Sequence, residues 1–303
     1  MDTSRLLLGC GNFGGVGSAP AFFGQGESEE QAFELMDAAW ALGIRTFDTA
    51  DAYGGGRSER WIGNWIASGG NRPVIVTKTF NPMEAGADHG LARARVTRQL
   101  ESSLDRLGVD YVDVYLAHAF DPNTPLDELV ETFEGLRDLG LIKAWGVSNF
   151  GASQLRKLCE HGQPSYVENS YNLLERDDEQ DLIPLCADIN SSYLAFGPLA
   201  GGLLTGRYRQ GEEAPSGSRL ATRPEGYEHL LTEATFAGLE RFTAAAAERG
   251  IAPATLALAW PLARPGVTSV IIGARTQQQL GLALQALDVG LSPAEADALS
   301  QLF

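Results

Sequence analysis

Basic residues are scarce in this sequence of 303 residues. Lys and Arg together number 23 against 39 Asp and Glu, which gives a formal net charge of −16. A chain this acidic, without a basic cluster, is repelled by phosphate backbones and by anionic lipid surfaces. Nucleic-acid binding is therefore excluded as a main role. No apolar stretch approaches the ~20 residues that a membrane-spanning helix needs, so we expect no membrane association.

Cysteine is also scarce, with Cys10, Cys159 and Cys186 at wide spacings and no Cys-x-x-Cys pair. This pattern predicts free thiols in a reducing compartment rather than a disulfide framework or a zinc site. The four histidines are scattered without a His-Glu-x-x-His motif, so we predict no metal site. The N-terminus lacks the long apolar core of a signal peptide, and we therefore expect a cytoplasmic protein.

The chain does contain a regular alternation of short apolar runs and amphipathic stretches. The predicted strands are Arg5–Gly9, Thr46–Thr49, Val74–Thr77, Val112–Leu116, Ala144–Ser148, Ser165–Asn169, Ser192–Phe196 and Ser269–Ile272. Strands that alternate with helices are parallel and are joined by right-handed crossovers. Eight such strands at this length close into a barrel. We therefore predict an α/β fold, a (β/α)8 TIM barrel, as a single domain over residues 1–303.

Helix-like stretches lie between these runs. They cover Glu29–Ala41, Ser58–Ala67, Ala92–Arg106, Leu126–Leu139, Ala152–Glu160, Glu179–Asp188, Phe236–Arg249, Ala254–Ala263 and Gln277–Leu287. Ser28 precedes the first stretch as an N-cap should, and Gly43 follows it as a C-terminal cap. The segment Gly206–His229, after the seventh strand, is rich in Gly, Pro and charge and has no clear period. Such a segment in a compact domain predicts a lid-like loop.

A competing fold is the Rossmann dehydrogenase, because Gly9–Gly14 reads GCGNFG directly after a strand. The sequence that follows, GVGSAPAFFGQGE, is typical of a loop, whereas the third glycine of that motif should open a helix. The Rossmann fold therefore stays the alternative to the barrel.

Four polar residues fall at the ends of consecutive predicted strands. Asp48 and Tyr53 follow the second strand, Lys78 the third and His118 the fourth. Neighbouring strands are ~4.8 Å apart, and barrel active sites lie at the carboxyl ends of the strands. These side chains should therefore meet in one small volume. Each alone has a plainer interpretation, as a packing Tyr, a structural His or a Lys–Asp ion pair.

These residue types predict proton chemistry. A cation at Lys78, paired with Asp48, should lower the pKa of Tyr53 from its usual ~10 and make it a general acid. His118 can orient and polarise a carbonyl oxygen. No Ser or Cys lies in the context of a catalytic triad, so the set favours carbonyl reduction over acyl transfer.

The sequence resembles the aldo-keto reductases over almost its whole length. The matching stretches are FDTADAYGGGRSE, VTKTFNP, RLGVDYVDVYLAH, WGVSNF, YNLLER, FGPLAGGLLTGRY, LALAW and IIGARTQQQL. The resemblance implies a TIM barrel that binds NADP(H) across its mouth without a Rossmann domain. It also implies Tyr53 as the acid/base, Lys78 and Asp48 as its tuning residues, and His118 as the residue that orients the substrate.

The same resemblance assigns the cofactor site. Ser148 and Asn149 should bind the nicotinamide carboxamide, and Phe196 should lie flat on the ring. Residues Gly197 to Gly201 should hold the pyrophosphate, and Arg275 should read the 2′-phosphate unless it is a solvated surface charge. The full set of expected cofactor residues is Gly11, Asn12, Phe13, Asp48, Ser148, Asn149, Glu168, Phe196, Gly197, Pro198, Leu199, Gly201, Gly273, Arg275 and Gln279.

The chain departs from the family at two of these positions. Glu168 stands where the family generally has a carboxamide-binding Gln, and Ala283 replaces an Asn that commonly contacts adenine. The segment Gln277–Gln279 also lacks the extra base often found near the 2′-phosphate. NAD(H) is therefore an open alternative to NADP(H).

Glu168 itself has two interpretations. An ionised Glu only accepts hydrogen bonds, whereas Gln also donates. Since the oxidised nicotinamide ring is cationic, a carboxylate here should favour the oxidised cofactor by about tenfold. Alternatively, burial keeps Glu168 protonated, as a neutral filler.

The predicted function is hydride transfer between NADP(H) and a small-molecule aldehyde, ketone or sugar carbonyl, or the corresponding alcohol. The alternative is a nicotinamide-nucleotide-binding regulatory subunit with little turnover. We expect Phe22, Phe23, Tyr53 and His118 to line the substrate pocket, with contributions from the Gly206–His229 loop and the tail around Phe303. The sequence predicts no particular oligomeric state.

Overall fold

The computed structural model describes residues 5–69 and 71–303. Eight parallel strands close into a barrel in chain order, with β8 returning to pair with β1. The strands are β1 (Leu6–Gly9), β2 (Thr46–Asp48), β3 (Val74–Thr79), β4 (Val112–Ala117), β5 (Ile142–Ser148), β6 (Tyr166–Ser170), β7 (Ser192–Phe196) and β8 (Val267–Ile272). The predicted (β/α)8 barrel is confirmed, and with it the Rossmann alternative is excluded.

Helices connect the strands on the outside of the barrel. They are α1 (Glu29–Ala41), α2 (Arg57–Gly69), α3 (Arg93–Leu107), α4 (Leu126–Asp138), α5 (Ala152–Leu158), α6 (Leu182–Asp188), α7 (Arg219–Thr222), α8 (Glu233–Glu248), α9 (Pro253–Ala263), α10 (Gln277–Gln285) and α11 (Pro293–Ser300). No helix formed by the residues described here is long and apolar enough to cross a membrane.

Local sequence signals account for the helix ends. Ser28 caps α1 by accepting from the Gln31 N–H, while the Gln31 side chain accepts from the Ser28 N–H in a reciprocal capping box. After α1, Gly43 adopts a left-handed φ of 89°, which only glycine reaches without strain. Both signals were read from the sequence, and both are confirmed.

Two apolar layers hold the barrel together. Strand β1 shows how they arise, since Leu7 faces the barrel interior and its neighbours Leu6 and Leu8 face the surrounding helices. A parallel strand that is buried on both faces has a continuous apolar sequence. The run LLL therefore predicted a strand, although apolar and polar residues do not alternate in it. The interior layer consists of Leu7, Val76, Val114, Leu116, Tyr166, Leu194 and Ile271.

The segment after β7 is only partly irregular. It contains α7 and single 3₁₀ turns at Pro224–Gly226 and Glu228–Leu230. Arg219 Nη2 donates to Asn12 Oδ1 at 2.6 Å, and Arg275 Nη1 donates to the Gly217 carbonyl at 2.9 Å. The segment therefore contacts both the loop after β1 and the loop after β8.

Candidate active site

A buried ion pair forms the base of the site. Asp48 ends β2 and Lys78 lies near the end of β3, so the parallel register brings both side chains to the carboxyl end of the barrel. Lys78 Nζ donates to both Asp48 carboxylate oxygens, at 2.7 and 2.6 Å, and to the Thr49 carbonyl at 3.0 Å. Burial acts to lower the pKa of Lys78, but the adjacent carboxyl groups outweigh it and keep the amine charged.

Tyr53 lies beside this pair and is partly exposed. The Lys78 ammonium is 5.4 Å from the centre of its ring. Burial raises the pKa of the Tyr53 hydroxyl; Lys78 opposes this shift, and Asp48 and Glu168 offset Lys78. Lys78 thus acts in the direction expected from the sequence, but the expected net lowering of the Tyr53 pKa was wrong, because burial is the larger effect. Tyr53 is a protonated donor at neutral pH.

His118 follows β4 and faces Tyr53, with the two ring centres 5.6 Å apart in an edge-to-face arrangement. Burial and the nearby Lys78 lower the pKa of His118 to about 3, so the imidazole is neutral. Asn81 Nδ2 lies 3.3 Å from His118 Nδ1. Donation by this amide makes Nδ1 the acceptor and leaves the proton on Nε2. Asn81 was not identified from the sequence, although it belongs to the quoted stretch VTKTFNP.

Glu168, on β6, joins the same ion pair. Its Oε1 is 3.3 Å from Lys78 Nζ, the same ammonium that contacts Asp48 at 2.6 Å. Burial, followed by repulsion from Asp48, raises the pKa of Glu168 well above its usual range, against the opposing effect of Lys78. Burial and the neighbouring Asp48 thus favour the protonated interpretation of Glu168.

Ser148 and Asn149 border Glu168 at the end of β5. Ser148 pairs with Glu168 in the strand register, and the Asn149 N–H donates to the Glu168 carbonyl at 3.1 Å. Asn149 adopts a left-handed φ of 58° and its side-chain amide donates to the His118 carbonyl at 2.8 Å. The carboxamide-binding set predicted from the sequence is therefore brought together beside the proton-transfer residues.

The loop after β7 has an unusual backbone. Gly197, Ala200, Gly201 and Gly202 all have positive φ, at 64°, 47°, 65° and 101°. These residues form tight turns, in which the N–H groups of Ala200 and Gly202 donate to the Gly197 and Leu199 carbonyls at 2.9 and 2.8 Å. A Cβ at Gly201 would lie 2.7 Å from the Tyr227 ring, so only glycine fits there.

The sequence profile of the Aldo/keto reductase family matches residues 5–302. The chain belongs to the aldo/keto reductase family. This membership makes it an oxidoreductase of a family that generally uses nicotinamide cofactors.

Individual relatives of this aldo/keto reductase support the same assignment. The uncharacterized oxidoreductase YrpG of Bacillus subtilis (strain 168) is 35% identical, over 100% of this chain and 93% of the relative. A probable voltage-gated potassium channel subunit beta of Oryza sativa subsp. japonica is 33% identical, over 88% of this chain and 85% of the relative. The solved structure of a glycerol dehydrogenase from Gluconobacter oxydans has a TM-score of 0.84 and 28% identity, over 99% of this chain and 91% of that chain.

The adenosine end predicted for this aldo/keto reductase contains an ion pair that the sequence did not reveal. Arg275 Nε lies 2.5 Å from Glu27 Oε1, and the Arg275 N–H donates to Gln279 Oε1 at 2.7 Å. Glu27 is buried, and its Oε2 has no hydrogen-bond partner among the described residues. Arg275 is thus neither a free phosphate ligand nor a purely solvated charge. Two residues before Arg275, a Cβ added at Gly273 would meet no atom within 4 Å.

Arg219 was also missed as a site residue. Its side chain donates a hydrogen bond to Asn12, and it forms no ion pair with any residue that the structure describes. Burial lowers the pKa of Arg219, as expected for a cation without a carboxylate partner. Phe13, by contrast, has its side chain in the core, which leaves only its backbone for a ligand.

The predicted substrate residues are brought together only in part. Phe23 packs against Gly55 in the turn after Tyr53, and Arg223 lies over the Phe22 ring at 5.6 Å. The tail instead packs on α8, where Phe303 lies 6.1 Å from the Phe242 ring centre. Phe303 lines a cavity of about 500 Å³ whose other walls include Leu173 and Leu230 and none of the four proton-transfer residues.

Proposed function

We propose that this chain is an NADP(H)-dependent carbonyl reductase or alcohol dehydrogenase. The observation that carries the proposal is the partly exposed Tyr53, a protonated donor that lies against the neutral His118 and the Lys78–Asp48 pair. Small aldehydes, ketones, sugars or the corresponding alcohols are the substrate class that such a proton donor serves.

Each group has a distinct part in this chemistry. A bound nicotinamide supplies or accepts the hydride at the carbonyl carbon. Tyr53 donates its hydroxyl proton to the developing oxyanion during reduction and recovers it during oxidation. His118 donates a hydrogen bond from Nε2 to the same oxygen, and Lys78 stabilises the phenolate formed at Tyr53.

The chain's own residues suit such a cofactor. Ser148, Asn149 and Glu168 offer donors and acceptors for a carboxamide, and Phe196 at the end of β7 offers an aromatic face. The turns after Gly197 lie where the family resemblance places the pyrophosphate. We add Arg219 to the residues expected to bind a phosphate, because an anionic ligand would stabilise a half-buried cation that has no ion-pair partner among the described residues.

The experiment is reduction of a panel of aldehydes, ketones and aldoses with NADPH and with NADH, and oxidation of the alcohols with NADP⁺. We expect turnover in at least one class, and a loss of at least ~10²-fold in Tyr53→Phe with nearly unchanged cofactor affinity, because the acid is lost while the ring remains. Tyr166→Phe, on the barrel interior face of β6, is the matched control and should keep its activity. Wild-type single-turnover rates in Tyr53→Phe would contradict the assignment.

A second candidate is a nucleotide-binding regulatory subunit with little turnover. The similarity to a probable potassium channel subunit beta favours it. Tight binding of NADP(H) with no turnover in the whole panel, together with a protein partner whose affinity depends on the oxidation state of the cofactor, would support this function over the first.

A further inference from the structure

Three buried ionisable side chains meet at the mouth of the barrel. The Lys78 ammonium contacts both oxygens of Asp48 at 2.6 and 2.7 Å and Glu168 Oε1 at 3.3 Å. The side chains of these residues are 0%, 4% and 3% exposed, respectively. One cation therefore faces two carboxyl groups, and water does not compensate the second negative charge.

The other titratable groups around this cluster are neutral. Directly after β1, burial keeps the Cys10 pKa well above its ordinary value, so the thiol is protonated. From the loop after β2, the Tyr53 pKa is likewise raised by burial, and the lowered pKa of His118, after β4, keeps its ring uncharged. The charge of Lys78 therefore balances one carboxylate and not two.

The contacts indicate which carboxyl is neutral. Asp48 and Glu168 contact the same buried ammonium, at 2.6 and 3.3 Å, so two ionised carboxylates there would repel each other at short range. Asp48 accepts both short bonds from Lys78, whereas Glu168 has one longer contact and its Oε2 accepts nothing from the described residues. The anion is thus better stabilised on Asp48, and the proton belongs to Glu168.

We propose that Glu168 is a neutral carboxylic acid in the free enzyme and that it releases its proton when the oxidised nicotinamide cofactor binds. The O–H bond of Glu168 breaks, its electron pair stays on the carboxylate and the proton passes to the buffer, with no change in oxidation state. The identity of the ligand rests on the proposed function, whereas the protonation of the free enzyme does not.

A Glu168 that can gain or lose a proton has two useful properties at a position where the family generally has Gln: it can bind a carboxamide, and it can favour the oxidised ring. As an acid, Glu168 both donates and accepts, so it can serve a carboxamide as Gln does. Beside the cationic oxidised ring the carboxylate becomes the favoured form, while the neutral reduced ring leaves the proton in place. The affinity for NADP⁺ should therefore rise with pH, by up to about tenfold per pH unit, while the NADPH affinity stays nearly constant.

Calorimetry in buffers of different ionisation enthalpy tests the release directly. We expect the wild type to release up to about one proton on binding NADP⁺ and close to none on binding NADPH. Glu168→Gln should bind both cofactors and release no proton with either. Equal release by wild type and Glu168→Gln, or no pH dependence of the NADP⁺ dissociation constant, would overturn the proposal.

Asp51→Asn is the matched control, because Asp51 is another buried acid near β2 whose pKa is raised, to about 7. It should keep the wild-type proton release. Loss of release in Asp51→Asn would overturn the assignment of the proton to Glu168.

Infrared spectroscopy tests the free enzyme without any cofactor. At a pH well above 7, where Asp51 is ionised, the wild type should show the carbonyl stretch of a buried protonated carboxylic acid, and Glu168→Gln should lack that band. Identical spectra would overturn the protonated state of Glu168. If neither nucleotide binds, the proposed function fails and so does the release step, while the infrared comparison still decides whether Glu168 is protonated.

Discussion

At the scale of single residues, the tautomer of His118 depends on one neighbouring amide. Asn81 is anchored because its backbone carbonyl accepts from Arg95 Nη2 at 2.7 Å. Its side chain then donates to Nδ1 and places the imidazole proton on Nε2. Asn81 is a positioning residue, since it acts on the substrate oxygen only through His118.

Replacement of Asn81 by Asp should reverse this arrangement. A carboxylate accepts from Nδ1–H, so Nε2 loses its proton in the neutral ring, and the negative charge raises the His118 pKa. We expect kcat to fall by about 10²-fold with little change in cofactor affinity. Nitrogen NMR of the imidazole should show the protonated nitrogen move from Nε2 to Nδ1. An unchanged tautomer would refute the role assigned to Asn81.

At the scale of elements, a buried polar network joins β3 to α2 and α3 beneath the site. Thr79 donates to Asp51 at 2.6 Å and accepts from Arg95 at 2.8 Å, and Arg106 contacts the buried Glu59 at 2.7 Å. Asp51 Oδ1 has no hydrogen-bond partner among the described residues. Burial, with a smaller contribution from Glu59, raises the pKa of Asp51 to about 7.

This shift predicts how stability depends on pH. The folded chain holds a proton on Asp51 between its unfolded pKa of 3.8 and its folded pKa of about 7. The associated stability is fully present below pH 3.8 and is lost as the pH rises through 7, with a magnitude on the order of 4 kcal/mol. Asp51→Asn should flatten this decline when the free energy of unfolding is measured from pH 4 to 8. A variant that declines as steeply as the wild type would contradict the prediction.

A second contact between elements links three loops at the barrel mouth. Arg275, before α10, bonds both to Glu27, before α1, and to the Gly217 carbonyl in the segment after β7. The Glu27 carboxylate balances the charge of Arg275, the cation that the family resemblance places at the 2′-phosphate. We therefore expect only a moderate preference for NADPH in the wild type.

Glu27→Gln should release Arg275 and raise the affinity for NADPH relative to NADH. The effect should reach about tenfold, the lower end of a charge-assisted phosphate contact. Arg275→Ala in the Glu27→Gln background should abolish the gain, and it avoids leaving Glu27 buried without its partner. The ratio of the NADPH to the NADH dissociation constant would be the same in the wild type, Glu27→Gln and the double variant if Arg275 does not bind the 2′-phosphate.

At the scale of the whole molecule, the order of elements was predictable except for the short helix α7 and the C-terminal region. Strand β7 has its predicted bounds, and β5 begins two residues before the predicted Ala144. Helix α11 was missed, although Ser292 and Glu295 form a capping box that the sequence could have revealed. The single-domain assignment over residues 1–303 and the cytoplasmic location stay predictions.

The sequence by itself determined the barrel. It also determined that four side chains lie together at the carboxyl end of the strands, those of Asp48, Tyr53, Lys78 and His118. Its apolar runs follow the period of buried parallel strands, and parallel strands bring their carboxyl ends to one side. Only the tertiary structure decided the charge state of that site. Glu168 is 90 residues from Lys78 in the chain and Arg275 is 248 from Glu27, so no local spacing reveals these pairs. Burial and the balance of neighbouring charges then set the pKa of Tyr53, and both exist only once the barrel has closed.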